Sequence, residues 1–252
     1  MSPQPDKIRY KIYPSLLDAF QNYLDSEKNW ETFYGGRDDP KISVDEYERT
    51  ATQELIDHIN RVPFESEAAD KGTAFNEVVD SIIEKRKSDK MDIITMPDKR
   101  IITATYKGNR YVFPFLLCHE FADYYEGALT QKFVQAILST SYGNVLLYGY
   151  IDELLPLSVH DIKTTKSYKV YKFRSHWQHY VYPYCLLCSG NDIHLFEYNV
   201  TNFKDTYTET YVFKEERDIP ILRNHTERFI EFLEAKKSLI TDKKVFGGEK
   251  DG

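Results

Sequence analysis

Near residue 100 the hydrophobic period of this chain changes from helical toward alternating, and that switch constrains the fold more than any other feature. Up to about residue 90, apolar side chains recur every three or four positions. Leu16, Leu17, Phe20 and Leu24 predict a helix beginning at Ser15, with Ser15 as its N-cap after Pro14. Val44, Tyr47, Ala51, Leu55 and Ile59 predict a second helix running to Arg61 and broken at Pro63, and the segment Gly35 to Pro40 before it reads as a loop. Ala74, Phe75, Val78, Val79, Ile82 and Ile83 predict a third, ending in the charged run EKRKSDK.

Beyond it the period shortens toward two. Arg100–Tyr106 and Arg110–Phe115 flank Lys107, Gly108 and Asn109 as a hairpin, and a helix is expected from Leu116 to Ala128. Strands follow at Phe133–Ser141 and Val145–Leu155 around Tyr142, Gly143 and Asn144, then at Leu157–Thr164 after Pro156, which together read as an antiparallel meander. A buried helix is expected from Arg174 to Leu187, then strands His194–Val200 and Thr206–Phe213, and a final helix from Ile219 to Leu239. The expected architecture is α/β (α+β) in one domain over residues 1–252: a helical part over about 10–90, a sheet core over 100–215, and a C-terminal helix over 219–240.

No run approaches the roughly 18 uninterrupted apolar residues of a membrane span, and the polar start MSPQPDKIRY lacks the apolar stretch of a secretion signal. Three cysteines argue against a disulfide framework, so a cytoplasmic protein without membrane partners is expected. The net charge of −7 speaks against a surface coated in positive potential. Its distribution matters more.

Asp152 ends the stretch Gly149–Asp152, and Asp161-Ile162-Lys163 follows after a turn at Leu155-Pro156. A hairpin there brings Asp152 and Asp161 close, while the strand period puts Asp161 and Lys163 on one face and Ile162 on the other. Two carboxylates with the backbone carbonyl of Ile162 make a hard oxygen site of the kind Mg²⁺ or Mn²⁺ prefers. Lys163 would then orient an attacking water or stabilise a negative transition state. A lone D-x-K triplet is common by chance, and Asp–Lys pairs on strands are ordinary solvated ladders. Here Val159, Ile162 and the apolar run Val145–Ile151 mark the strands as central, where unpaired carboxylates are costly.

Residues 162–191 carry no Asp or Glu, where 40 in 252 would give about five. The same window holds Lys163, Lys166, Lys169, Lys172, Arg174, His176 and His179, interleaved with Tyr168, Tyr171, Phe173, Trp177 and Tyr180. This strip reads either as a phosphate-and-base binding surface or as a solvated loop followed by a core helix.

Gly149–Asp152, the DIKT of Asp161–Thr164, and Gln178–Tyr182 read as Q-x-x-x-Y together resemble the PD-(D/E)XK nuclease superfamily, especially its RecB-like and phage-exonuclease branch. Tyr13-Pro14-Ser15-Leu16-Leu17 is similar to the serine–leucine helix with which many RecB-like nucleases start, so the resemblance spans roughly residues 10 to 190. It implies a restriction-endonuclease-like core with a central mixed sheet flanked by helices. It also implies that Asp152 and Asp161 hold the metal, that Lys163 is catalytic, and that Gln178 and Tyr182 help hold DNA or the lysine; by pattern alone Tyr182 is equally a core aromatic. Lys71–Glu77 looks like the family's G-x-x-x-H motif, with Asn76 where the metal-binding His is expected and Glu77 adjacent as another ligand candidate.

Several relatives carry an iron–sulfur cluster on four cysteines. Here only Cys118 accompanies Cys185 and Cys188, which sit in an apolar helical pattern, so core packing and no cluster are expected. His119, His160 and His225 lack metal spacing, and His160 should point away from Asp161. The expectation is a Mg²⁺- or Mn²⁺-dependent deoxyribonuclease, an exonuclease by analogy, serving recombination, repair or phage DNA processing. DNA is its partner, contacted through Lys166, Lys169, Lys172 and Arg174; a homo-oligomer or a recombination partner protein is compatible. The alternative is a catalytically weakened nuclease-fold protein that binds DNA or a protein partner without cutting.

Overall fold

A computed structural model describes residues 7–37 and 39–247. Its first element is a strand, β1 (Ile8–Ile12), which buries Tyr10 and Ile12 in alternation with exposed Arg9 and Lys11. The segment has only these alternate apolar positions to announce it, and the helical reading begins after it. Pro14 opens α1 (Pro14–Leu24) from an extended Tyr13, with no side-chain cap, so Ser15 lies inside the first turn and is not the N-cap. The locked φ of proline presets that turn. A further helix, α2 (Ser26–Tyr34), follows directly. Of the expected Gly35–Pro40 loop, Asp38 lies outside the described residues.

Serine caps set the next two helices. Ser43 accepts from the Glu46 N–H at 3.2 Å to start α3 (Val44–Ile59), and Ser66 accepts from the Ala69 N–H at 3.2 Å to start α4 (Glu67–Ile83). Helix α4 therefore begins well before Ala74 and carries Lys71, Gly72 and Asn76. A small antiparallel sheet of β2 (Asp92–Met96), β3 (Ile101–Tyr106) and β4 (Asn109–Pro114) leads into α5 (Phe115–Tyr124).

The central sheet is mixed. It comprises β5 (Leu129–Thr140), β6 (Gly143–Leu155), β7 (Ser158–Thr164), β8 (Leu195–Thr201) and β9 (Thr206–Val212), joined by β1. Strands β5, β6 and β7 are antiparallel as expected, but β7 runs parallel to β8 and β1 parallel to β6, so the sheet is not a simple meander. Helix α6 (Gln178–Cys188) makes the β7–β8 crossover that parallel neighbours need. It starts at Gln178 and not Arg174, because residues 165–177 form turns, with Tyr171 at a left-handed φ of 60°. Helix α7 (Glu215–Ala235) begins four residues earlier than the expected Ile219: Asp218 reaches back to accept from the Lys214 N–H at 2.7 Å.

Helices cover both faces of this sheet. One core joins α1, α3, α6 and α7 to the strands through Leu17, Phe20, Leu55, Val181, Phe229 and Leu233. The other joins α4, α5 and the small sheet through Phe75, Val78, Phe113 and Phe121, and takes in Ile162 from β7.

Strand β6 creates an opening. Its residues 144–147 pair with β1 and its residues 153–155 pair with β7. Between them, 148–151 have a partner only in β5, and Asp152 is skipped in that register as well. Across from Asp152, β5 bends through Gln131 at a left-handed φ of 47°. A non-glycine residue held there marks local strain of the kind found at functional sites.

Candidate metal and phosphate site

Strand alternation places Asp161 and Lys163 together, and Ile162 opposite them in the α4 core, as the period of two requires. The Lys163 ammonium lies 2.6 Å from Asp161 Oδ2 and donates to Gln178 Oε1 at 2.8 Å. Gln178 Nε2 in turn donates to Asp161 Oδ1, closing a triangle. Gln178 is the first residue of α6, and the entry to that helix is pinned by Asp18 of α1, which accepts from the Trp177 N–H at 2.6 Å. Burial works against the Lys163 charge, but Asp161 and Asp152 outweigh it and hold the ammonium pKa above its ordinary value.

Asp152 sits in the opening of β6. Its Oδ2 accepts from the Ile162 N–H at 3.2 Å and from Asn76 Nδ2 at 3.3 Å, and Gln131 Nε2 lies 3.5 Å from Oδ1. Burial, then the charge of Asp161, pushes its pKa up to about 8. The structure thus brings together Asp152, Asp161, Ile162, Lys163, Gln178 and Asn76.

The donor set suits a hard cation. Asp152 and Asp161 offer carboxylate oxygens, and Asn76 Oδ1 is a buried carbonyl oxygen with no hydrogen-bond partner. With the carbonyl of Ile162, these are the residues that could hold Mg²⁺ or Mn²⁺. Among the described residues no group of three His, Cys, Asp or Glu side chains is arranged around a metal position.

Glu77 is not part of this set. One residue further round α4 than Asn76, its carboxylate is buried and ion-paired, Oε1 to Arg86 at 2.6 Å and Oε2 to Lys90 at 2.8 Å. Burial alone would raise its pKa; the bonds from Arg86 and Lys90 outweigh that and lower it to about 2. Tyr182, expected as a nucleic-acid contact, is only 5% exposed and packs in the core. Its ring explains Gly149, where a Cβ would lie 2.8 Å from Tyr182 Cε1 and 3.4 Å from Pro14. Gly149→Ala should therefore overpack the site, costing about 2 kcal/mol in chemical denaturation and displacing Tyr182 against Gln178.

The basic strip divides. Lys166, Lys169, Lys172 and Arg174 are exposed on the 165–177 loop, just past Lys163, although Lys172 curls back onto Thr165 and the Ser167 carbonyl. Phe173, Trp177 and His179 turn inward. Tyr168 stacks on Tyr207 at 4.2 Å, and Tyr171 alone of these rings is largely exposed. The cations are thus available to phosphates, whereas most of the aromatics belong to the fold.

The cysteines do not converge. Cys118 lies in the α4–α5 core and Cys185 in the α6 core, while Cys188 is exposed at the end of α6 and not buried as its pattern suggested. His160 faces away from Asp161, bonded to Asn199 at 3.0 Å and Ser158 at 2.7 Å. Sequence reasoning passed over Gln131 and Asp18, since neither occupies a motif and both matter through distant partners.

Among the described residues no helix is long and apolar enough to cross a membrane. No family model and no curated protein matches the sequence. One solved structure, "Crystal structure of SSO0001", is similar with a TM-score of 0.46 at 10% identity, over 91% of this chain and 79% of that one.

Proposed function

We propose that this chain is a divalent-metal-dependent DNA nuclease, acting as an exonuclease in recombination, repair or phage DNA processing. The observation that carries this reading is the meeting of Asp152, Asp161 and Lys163 where β6 leaves its neighbours, with Gln178 clamping the last two. When bound, Mg²⁺ would neutralise phosphate charge and lower the pKa of a water. Asp152, Asp161 and the carbonyls of Asn76 and Ile162 are the groups to hold it.

The chain's own residues supply the rest. Lys163 stays protonated between two carboxylates and offers its charge to a phosphate oxygen as negative charge builds there. Gln178 fixes both Asp161 and Lys163, so the ammonium needs no reorganisation during the reaction. Hydrolysis forms one bond from the water oxygen to phosphorus and breaks the phosphorus bond to the leaving sugar oxygen, which takes up a proton. The exposed lysines of the 165–177 loop would meet neighbouring phosphates.

Purified protein should degrade linear DNA with Mg²⁺ or Mn²⁺ and stop on chelation. A second reading, a fold that binds DNA or a protein partner without cutting, is favoured by Asn76 in place of the expected His and by the ion-paired Glu77. DNA bound but intact with either metal would establish that reading and overturn ours.

A further inference from the structure

A cleft of about 450 Å³ opens beside the candidate site, with Asp152 and Gln178 at one end and Tyr13, Arg61, Tyr148 and Tyr150 along it. The rings of Tyr13 and Tyr148 meet edge to face at 5.7 Å, and the Arg61 guanidinium lies 5.7 Å over Tyr13. Arg61 also pairs with Asp242 at 3.1 Å. Tyr150 is 58% exposed and packs against Phe133, itself 42% exposed, at 5.2 Å. Aromatic surface is thus presented to solvent within the cleft and at its rim.

The groove continues past Arg61, sharing Tyr13 and Arg61, but its walls there are Glu54, Asp57, His58 and Phe64. Arg61 is the one Lys or Arg among the described residues lining either stretch. Burial lowers the pKa of His58, favouring its neutral form. A phosphate backbone running on beyond Arg61 would meet Glu54 and Asp57. The charges lining the groove therefore favour a phosphate at Arg61 and disfavour one beyond it.

We infer that this cleft receives the terminal base of an unpaired DNA strand, stacked against Tyr148 and Tyr150, with Arg61 meeting its phosphate. The inference rests on the nuclease reading, because the Asp152 end of the cleft is the proposed site of hydrolysis. It deepens that reading by naming the substrate, a single-stranded or frayed end, and the product, a mononucleotide. Stacking on aromatic side chains accepts any base, so recognition is of an end and not of a sequence.

The test is binding of a short single-stranded oligothymidine, labelled internally and followed by fluorescence anisotropy with Ca²⁺ in place of Mg²⁺. An abasic residue at one of the two ends should raise the Kd about tenfold, and one in the middle should have no comparable effect. Tyr148→Ala should cost a similar factor on the intact strand and add little on the end-abasic one. Should that variant misfold, the abasic series with unmodified protein decides alone. Equal affinity for all abasic strands, or no binding, overturns the inference. Cleavage with Mg²⁺ is scored separately: end-dependent binding without cleavage keeps the cleft and removes the nuclease, and cleavage without end dependence does the reverse.

Discussion

Lys163→Met is expected to slow Mg²⁺-dependent DNA hydrolysis by at least about a hundredfold, the usual scale for losing one preorganised charge stabiliser. The ammonium lies within 2.8 Å of both Gln178 Oε1 and Asp161 Oδ2, and among the described residues no other Lys or Arg pairs with Asp161 or Asp152. Methionine keeps the length of the side chain and its packing beside the Tyr198 ring, over which the ammonium sits at 5.7 Å. Asp161→Asn should cost as much by removing a cation-binding oxygen while keeping the bond from Gln178. The two changes differ in their effect on stability. Without Lys163, the buried Asp161 carboxylate is left with no counter-charge, and breaking a buried ion pair in this way costs about 3–5 kcal/mol. The metal-free Lys163→Met protein should therefore melt below the unmodified protein, whereas Asp161→Asn relieves the repulsion on Asp152. Rates are measured under single-turnover conditions, with thermal denaturation alongside. Full activity in Lys163→Met would remove the lysine from the chemistry.

What could be read from the sequence follows the range of each interaction. Asp161, Ile162 and Lys163 alternate because a strand alternates, and Asp152 joins them because the turn at Pro156 sets a short antiparallel register. Both are local. The parallel pairing of β1 with β6 joins segments more than a hundred residues apart, and a five-residue strand with two buried side chains gives no pattern strong enough to reveal it. The β7–β8 crossover was more legible, since a helix between two strands is the usual sign of a parallel pair. Asn76 and Glu77 could not be separated by motif. Arg86 and Lys90, which arrive after α4 ends, claim Glu77, and the helical rotation leaves Asn76 toward Asp152. Gln131 was invisible because a left-handed φ in a glutamine has no sequence signature. The basic run at 166–174 announced exposed cations correctly, but its aromatics could not be assigned to core or surface without the packing of Tyr168, Phe173 and Trp177.

Acid should destabilise the fold through His179, and His179→Phe should remove that part of the loss. The imidazole is buried on α6, bonded through Nδ1 to the Tyr198 hydroxyl at 3.1 Å and stacked on Tyr211 at 4.2 Å. Burial depresses its pKa from 6.5 to about 3; Asp18 and Asp218 act upward, His176 and Arg217 downward. The folded state therefore keeps the ring neutral while the unfolded chain takes up a proton below pH 6.5. Stability from this group is present above that pH and lost as pH falls toward about 3, because the unfolded state binds more protons there. Between pH 6.5 and pH 4 the loss is about 3 kcal/mol, from roughly one proton over 2.5 pH units at about 1.4 kcal/mol each. His225, stacked on Trp177 at 3.7 Å, has its pKa lowered to about 4 and adds a loss of the same sign. Asp80, raised to about 6, and Glu153, raised well above its ordinary value, act oppositely: their folded forms favour the proton, so they gain stability as pH falls. Those contributions are common to both proteins and cancel in the comparison. Urea denaturation of each across this range should show the variant gaining about 3 kcal/mol relative to the unmodified protein at pH 4, whatever its stability at pH 7. Parallel pH profiles would mean that His179 is already charged in the folded protein and that the α6 core is wetter than its packing indicates.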